Sequence, residues 1–198
     1  MRDFSESPFL VIWEVTQACR LACIHCRASA QPCRHPLELT TEEGKELLES
    51  VSLFGNPLMV FTGGDPLERP DLAALLSHSV ELGLRTTVTP SATPLLTADA
   101  LRQFKEIGVA RMAISLDGPD RESHDGFRKV EGSFDRTLFA LGEAKKIGLP
   151  TQVNTTVTRQ NWKRLPEIAQ LVETAGAQLW SVFFLVTTGR ASAADDLT

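Results

Sequence analysis

Six apolar runs recur along the chain, and a helix-like alternation of apolar and polar positions separates each run from the next. The runs are FLVIWEV, PLMVF, LRTTVT, ARMAISL, LPTQVNTTV and AQLWSVFFLV. A glycine precedes each of the last five runs: Gly55, Gly83, Gly108, Gly148 and Gly176. Glycine at such a place is typical of a helix C-terminus, because a residue without Cβ adopts a positive φ at no steric cost. The pattern therefore predicts repeated strand-helix units.

Signals for the start of a helix support this prediction. They are the capping box from Thr40 to Glu43, the Pro70-Asp71 pair, Thr97 and Ser133. Continuous apolar strands alternating with helices indicate a parallel sheet covered by helices, and right-handed crossovers curl six such units into an open barrel. We predict an α/β fold, a partial (β/α)6 TIM-like barrel; a flat doubly wound sheet is the alternative.

Ligands of both folds bind beyond the carboxyl ends of the strands, so the loops after the strands are the places to search for chemistry. Two predicted loops are much longer than the usual ~2 to 6 residues of such a connection. They cover residues 16–39 and 117–132, and the first contains all four cysteines of the chain. Their length and position predict a functional site.

Composition and charge narrow the class of protein. With 42% apolar and 23% charged residues, the 198-residue chain has the composition of a globular domain that needs no disulfides to fold. The net charge of −5 argues against nucleic acid as a partner. No apolar run approaches the ~18 residues of a membrane span, and the N-terminus is not a basic leader. We expect a cytoplasmic protein, in which clustered cysteines are more often ligands than disulfides.

Three cysteines, Cys19, Cys23 and Cys26, lie within the eight residues CRLACIHC. Spacings of four and three would place them on one helix face as small buried apolar residues, but the flanking charges make a poor amphipathic helix. Three thiolates suit either a zinc ion with a fourth ligand or an iron-sulfur cluster with one open iron. His25 or His35 could complete a zinc site. Cys33 breaks the spacing, and we interpret it as a bystander thiol.

The CxxxCxxC spacing after a first strand, with FTGGDPL at the end of the second, resembles the signature of radical S-adenosylmethionine (SAM) enzymes. The resemblance covers all six strand ends. It implies that Cys19, Cys23 and Cys26 bind a 4Fe-4S cluster whose open iron is chelated by the amino and carboxylate groups of SAM. Reductive cleavage of SAM then yields a 5'-deoxyadenosyl radical that abstracts hydrogen from a substrate. The reductant implied is a low-potential donor of flavodoxin or ferredoxin type.

The same resemblance implies a set of SAM-binding residues. They are Gly63, Gly64, Asp65, Pro66, Ser91, Ser115, Asp117, Arg128 and Asn154. In the family's GGEP motif the third residue is a glutamate that holds the SAM amino group, and here Asp65 replaces it. Arg128 corresponds to an arginine that pairs with the SAM carboxylate. His25 occupies a place that is commonly aromatic, near adenine, and the sixth strand offers backbone to adenine. No general base is assigned.

The segments GGDPL, SLDGP and GSFDRTL resemble most the branch that contains SPASM-type peptide maturases and enzymes that modify haem precursors. A peptide or a tetrapyrrole is therefore the substrate class implied. Members of that branch usually continue into a cysteine-rich C-terminal domain with auxiliary clusters. We expect residues 1–198 to be the core domain alone, without that SPASM-like domain. The alternative function is a non-catalytic iron-sulfur or zinc-binding regulator on the same scaffold.

Overall fold

Six parallel strands form one sheet in the structure, a computed structural model that describes residues 7–197. The strands are β1 (Leu10–Glu14), β2 (Leu58–Thr62), β3 (Arg85–Val88), β4 (Arg111–Ser115), β5 (Thr151–Val157) and β6 (Leu179–Phe184). They pair in sequence order, and within the described residues β1 and β6 each have one neighbour. The register between β1 and β2 runs from Leu10 opposite Leu58 to Glu14 opposite Thr62. The predicted partial barrel is confirmed.

Six α-helices connect and cover the strands. They are α1 (Thr41–Ser52), α2 (Leu72–Glu81), α3 (Ala98–Ile107), α4 (Arg121–Arg128), α5 (Ser133–Ile147) and α6 (Leu165–Ala175). Short 3-10 turns cover Pro66–Glu68, Trp162–Arg164 and Ala193–Asp195. None of the helices in the described part of the chain is long and apolar enough to cross a membrane.

A helix begins at or next to all four sequence signals, and two of the four side chains also cap it. Thr40 forms the full capping box with Glu43, and the Thr97 hydroxyl accepts from the backbone of Ala100 at 3.2 Å. At the other two helix starts the predicted residue makes no capping hydrogen bond. Asp71 precedes α2 without capping it, because its carboxylate is bound by neighbouring side chains. Ser133 lies inside α5, one residue after the cap.

The second long connection is partly helical, which corrects the prediction of a loop over residues 117–132. Helix α4 begins after Asp120, whose carboxylate accepts from the backbone of Ser123 at 2.9 Å. The first long connection has no helix between β1 and α1, and a single parallel bridge joins Ala18 to Gln31. Local capping chemistry therefore divides one long segment, while the cysteine segment stays irregular.

The two faces of the sheet differ in the size of their side chains. The face covered by helices carries large buried residues: Met59, Phe61, Met112, Ile114 and Val153. The inner face carries smaller or polar residues at alternate positions, among them Thr87, Ala113 and Asn154. Closed barrels fill their interior with layers of branched side chains. Here the smaller side chains leave a cavity of about 360 Å³, called the barrel cavity below.

Candidate functional site

The segment that carries the cysteines is anchored to the carboxyl end of β2. The backbone of Gly64 donates to Thr16 at 2.8 Å, and that of Asp65 donates to Ala18 at 2.7 Å. A Cβ on Gly64 would lie 2.3 Å from the Ala18 carbonyl oxygen, and one on Gly63, at φ +150°, would lie 2.4 Å from that of Thr16. The two glycines are therefore required for this close backbone approach, whatever else they bind.

Three sulfurs face one cavity of about 320 Å³ at the carboxyl ends of the strands, called the cysteine cavity below. Cys19, Cys23 and Cys26 line it as free thiols, whereas Cys33 is exposed and lies outside the lining. Each of the three sulfurs accepts one N–H: Cys19 from Leu21 N at 3.4 Å, Cys26 from Ala30 N at 3.4 Å, and Cys23 from Arg128 Nη1 at 3.5 Å. Burial is the main reason that the pKa of Cys19 lies above its ordinary value.

The structure brings six of the nine predicted SAM-binding residues to the cysteine cavity: Gly63, Gly64, Ser91, Ser115, Arg128 and Asn154. The Ser91 hydroxyl donates to the Gly64 carbonyl at 3.0 Å and lies 3.7 Å from Cys19 Sγ. The side-chain oxygen of Asn154, Oδ1, accepts a hydrogen bond from Gln152 Nε2 at 2.7 Å. The Asn154 amide nitrogen makes no hydrogen bond to residues 7–197 and is available to a ligand.

Asp65 does not line the cavity, nor does Pro66. The Asp65 carboxylate is 0% exposed and accepts from Thr93 Oγ1 at 2.7 Å, from Leu67 N at 3.1 Å and from Ser91 N at 3.2 Å. Burial raises the pKa of Asp65 in spite of these hydrogen bonds. All of its contacts are internal, so this side chain holds the loops after β2 and β3 together.

Asp117 and Arg128 form a buried ion pair beside the cysteines. The Asp117 side chain is fully buried and also accepts from Thr156 N at 2.8 Å, so it lies behind the cavity and does not line it. Arg128 lines the cavity and contacts Cys23. Burial by itself would lower the pKa of Arg128, but the nearby Asp117 and Cys23 raise that pKa above its ordinary value. The Nε of Arg128 is buried without a hydrogen-bond partner in the described structure.

Two histidines near the cavity are held neutral. Burial, with the Arg128 charge, lowers the pKa of His25 to about 4 and that of His124 to about 4. The His25 ring packs on Phe127 with centroids 4.4 Å apart, and its Nδ1 is buried without a partner among residues 7–197. His124 Nδ1 accepts from Asp117 N at 3.1 Å, which fixes the start of the connection after β4.

The cysteine cavity is also lined by residues that the sequence did not single out, among them Glu14, Arg27, Thr156 and Arg190. Glu14, the last residue of β1, forms an ion pair with Arg27 of the cysteine segment. The backbone of Arg190 donates to the Cys26 carbonyl at 3.0 Å, which brings the segment after β6 onto the cysteine segment. The alternation of side chains along β1 and β5 is enough to place Glu14 and Thr156 on the inner face of the sheet. No local pattern in the sequence indicates that Arg190 reaches the cysteine cavity.

The cysteine cavity fits an iron-sulfur cluster with SAM by the chemistry of its donors. Three free thiols, each with an N–H donor, face one space together with glycine backbone and polar side chains. N–H donors to the sulfurs are a usual feature of such clusters. Within residues 7–197 no group of three or more His, Cys, Asp or Glu side chains is arranged to hold a single metal ion.

A comparison with protein families decides the assignment. Residues 13–172 match the model of the radical SAM superfamily. The chain belongs to the radical SAM superfamily. Members of this superfamily use a 4Fe-4S cluster and SAM. The match extends from β1 into α6 and includes the cysteine segment and the connections after β2, β3 and β4, which line the cavity.

Two curated relatives and one solved structure illustrate the likeness. The chain is 42% identical over 196 residues to the AdoMet-dependent heme synthase of Nitratidesulfovibrio vulgaris, covering 99% of this radical SAM chain and 53% of the relative. It is 33% identical over 181 residues to the pre-heme d1 synthase of Dinoroseobacter shibae, covering 91% and 44%. The crystal structure of Streptococcus suis SuiB bound to S-adenosylmethionine aligns with TM-score 0.83 at 17% identity, covering 98% and 44%. The chain thus spans about half the length of these relatives.

Proposed function

We propose that this chain is the core of a radical SAM enzyme that abstracts hydrogen from a tetrapyrrole-type substrate. The observation that carries the proposal is the convergence of three free, N–H-bonded thiols on one cavity that also exposes glycine backbone, Asn154 and Arg128. The naming of relatives as heme and pre-heme d1 synthases supports a tetrapyrrole over a peptide. Electrons would come from a low-potential donor of flavodoxin or ferredoxin type in the cytoplasm.

In this proposal Cys19, Cys23 and Cys26 hold the cluster, and Cys33 holds nothing. When bound, the cluster supplies the electron that cleaves SAM, and SAM supplies the 5'-deoxyadenosyl group that takes hydrogen from the substrate. The protein's own residues bind and orient these groups. Gly63 and Gly64 present backbone at the cavity wall, and Arg128 keeps a positive charge beside the Cys23 sulfur.

Part of the wall of the site is apolar. The cavity floor behind the cysteines is made of Leu21 and Ala30, which are nearly fully buried and pack with Cys19 and Cys23 in one apolar cluster. The His25 ring on Phe127 closes the side next to Cys26. Neutral at pH 7, His25 adds no charge to that wall. A dry cavity protects a reactive radical from side reactions.

The test is anaerobic reconstitution with iron and sulfide, followed by metal and sulfide analysis of Cys23→Ala and Cys33→Ala. We expect the Cys23 variant to lose most of its iron and the Cys33 variant, a matched single-thiol control, to keep about four irons per chain. We also expect the wild type to show a changed electron paramagnetic resonance signal with SAM and to form 5'-deoxyadenosine after reduction. Equal iron loss in both variants would contradict the ligand assignment. Zinc at about one per chain without acid-labile sulfide would favour the regulator instead.

A further inference from the structure

The barrel cavity is the second large space on the inner face of the sheet, and it opens into the cysteine cavity. The two share Arg27, Thr62, Thr89, Asn154 and Phe183 in their walls. Its remaining lining comes from the first halves of the strands and is mostly apolar, including Leu10, Ile12, Leu58, Val60 and Ala113. The cavity therefore extends from the radical site toward the amino ends of the strands.

One charged side chain at the far end of this cavity has no partner. Arg111, the first residue of β4, lines the cavity and is only partly exposed. Its guanidinium forms neither an ion pair nor a hydrogen bond within residues 7–197. Desolvation, with the nearby Arg85 charge, lowers the pKa of Arg111. The other cavity arginine, Arg27, is already paired with Glu14.

Arg111 has a second cation, Arg85, near it and no carboxylate partner among residues 7–197. Partly buried charges are normally paired, because desolvation of an isolated charge is costly. Arg85, the first residue of β3, is exposed and does not line the cavity, so it adds positive charge nearby while remaining solvated itself. The far end of an apolar cavity thus carries uncompensated positive charge, which is complementary to a ligand with an apolar body and a carboxylate.

We propose that the barrel cavity binds the carboxylate-bearing edge of the tetrapyrrole through Arg111, with the opposite edge presented to the cysteine cavity. This deepens the proposed function and rests on it. Arg111 and Ser115 lie on the same strand, four residues apart, and Ser115 lines the cysteine cavity. At a rise of ~3.3 Å per residue the separation is roughly 13 Å.

That separation decides which part of the ligand is held. A propionate side chain is only a few bonds long, so a carboxylate bound at the Arg111 end of the cavity belongs to a different part of the ligand from a group at the Ser115 end, whose Cα lies roughly 13 Å away. The anchored carboxylate is a handle on one edge of a wide ring, and a substituent on the other edge reaches the radical. A small amino acid or a short acid cannot bridge the two positions, whereas a macrocycle with carboxylates around its rim can.

The test is equilibrium dialysis of the reconstituted protein with mesoporphyrin IX, which carries two propionates and no iron that cysteine or histidine could ligate. Its neutral diamide is the matched ligand. We expect wild type to bind the acid about tenfold or more tightly than the diamide, as for a lost charged hydrogen bond. Arg111→Gln should lose that preference, and Arg111→Lys should retain part of it. Arg102→Gln, which removes an exposed and already paired arginine on α3, should behave as wild type.

Equal binding of acid and diamide by wild type, no porphyrin binding by wild type, or an undiminished preference in Arg111→Gln would overturn the inference. If Arg111→Gln fails to fold, the Lys variant and the wild-type acid-to-diamide ratio still decide it. The proposed function fails separately, through wild-type iron content and 5'-deoxyadenosine formation without porphyrin. If SAM is cleaved but porphyrin does not bind, the proposed function stands and the role of Arg111 is refuted. If porphyrin binds through its carboxylates but SAM is not cleaved, the proposed function fails and the carboxylate site at Arg111 stands.

Discussion

Arg128→Met is expected to destabilise the protein strongly, because it isolates a buried carboxylate. The Asp117 side chain is 0% exposed and its partner Arg128 is 11% exposed. After the substitution Asp117 keeps one hydrogen bond, from Thr156 N at 2.8 Å, and loses its counter-ion. Removing one member of such a pair costs about 3–5 kcal/mol, a large part of the ~5–15 kcal/mol that stabilises a typical domain.

The measurement is urea unfolding of the metal-free protein for Arg128→Met, Asp117→Asn and the double variant. If the pair is coupled, the double variant loses less free energy of unfolding than the sum of the single losses, by about 1–3 kcal/mol. Arg121→Met is the matched control on the same helix. It removes an exposed ion pair with Asp135, worth about 0–1 kcal/mol.

The same variant has a readout on the cluster. Arg128 Nη1 donates to Cys23 Sγ at 3.5 Å, and a positive donor on a ligand sulfur favours the reduced cluster. We expect the midpoint potential of the reconstituted Arg128→Met cluster to be more negative than that of wild type and of Arg121→Met. A coupling below about 0.5 kcal/mol, together with an unchanged potential, would refute the reasoning.

Two further predictions concern packing and pH. Gly64→Ala should destabilise the protein by about 1–3 kcal/mol in thermal unfolding and reduce its iron binding, because the added Cβ would meet the Ala18 carbonyl. Gly142→Ala is the control, since nothing lies within 4 Å of the added methyl, and it should be neutral or stabilise the protein by up to about 1 kcal/mol. The pKa of His124 lies near 4, below its unfolded value, so the unfolded state binds protons first and stability should fall between about pH 6.5 and 4. His124→Asn should reduce that slope in urea unfolding at several pH values without abolishing it, since His25 contributes in the same direction; an unchanged slope would contradict the assignment.

The order of strands and helices was predictable because it depends on local chemistry. Gly108, Gly148 and Gly176 adopt positive φ and end α3, α5 and α6, as their positions before apolar runs indicate. The capping box at Thr40 forms as its spacing predicts. Whether the side chain at a helix start also caps the helix was predicted less well. Asp71 is drawn to Arg69 and Thr41 instead of capping α2.

The site was predictable to the extent that its residues sit at strand ends. The cysteine spacing and the Gly63-Gly64 pair indicated the correct loops, and parallel strands bring such loops to one edge of the sheet. The direction of individual side chains was not predictable. Asp65 and Asp117 follow strands as expected, yet both carboxylates turn away from the cavity into hydrogen bonds with residues far along the chain.

By itself the sequence determined the strand-helix order, the parallel sheet and the close grouping of three cysteines after β1, since each depends on periodicity and short spacings. Only the tertiary structure decided that Arg128 reaches Cys23 across 105 positions of sequence and that Arg111 lies at the far end of the barrel cavity without a partner among residues 7–197. The physical reason is that a charge finds or lacks a partner through the packing of several strands. No local pattern of residues contains that information.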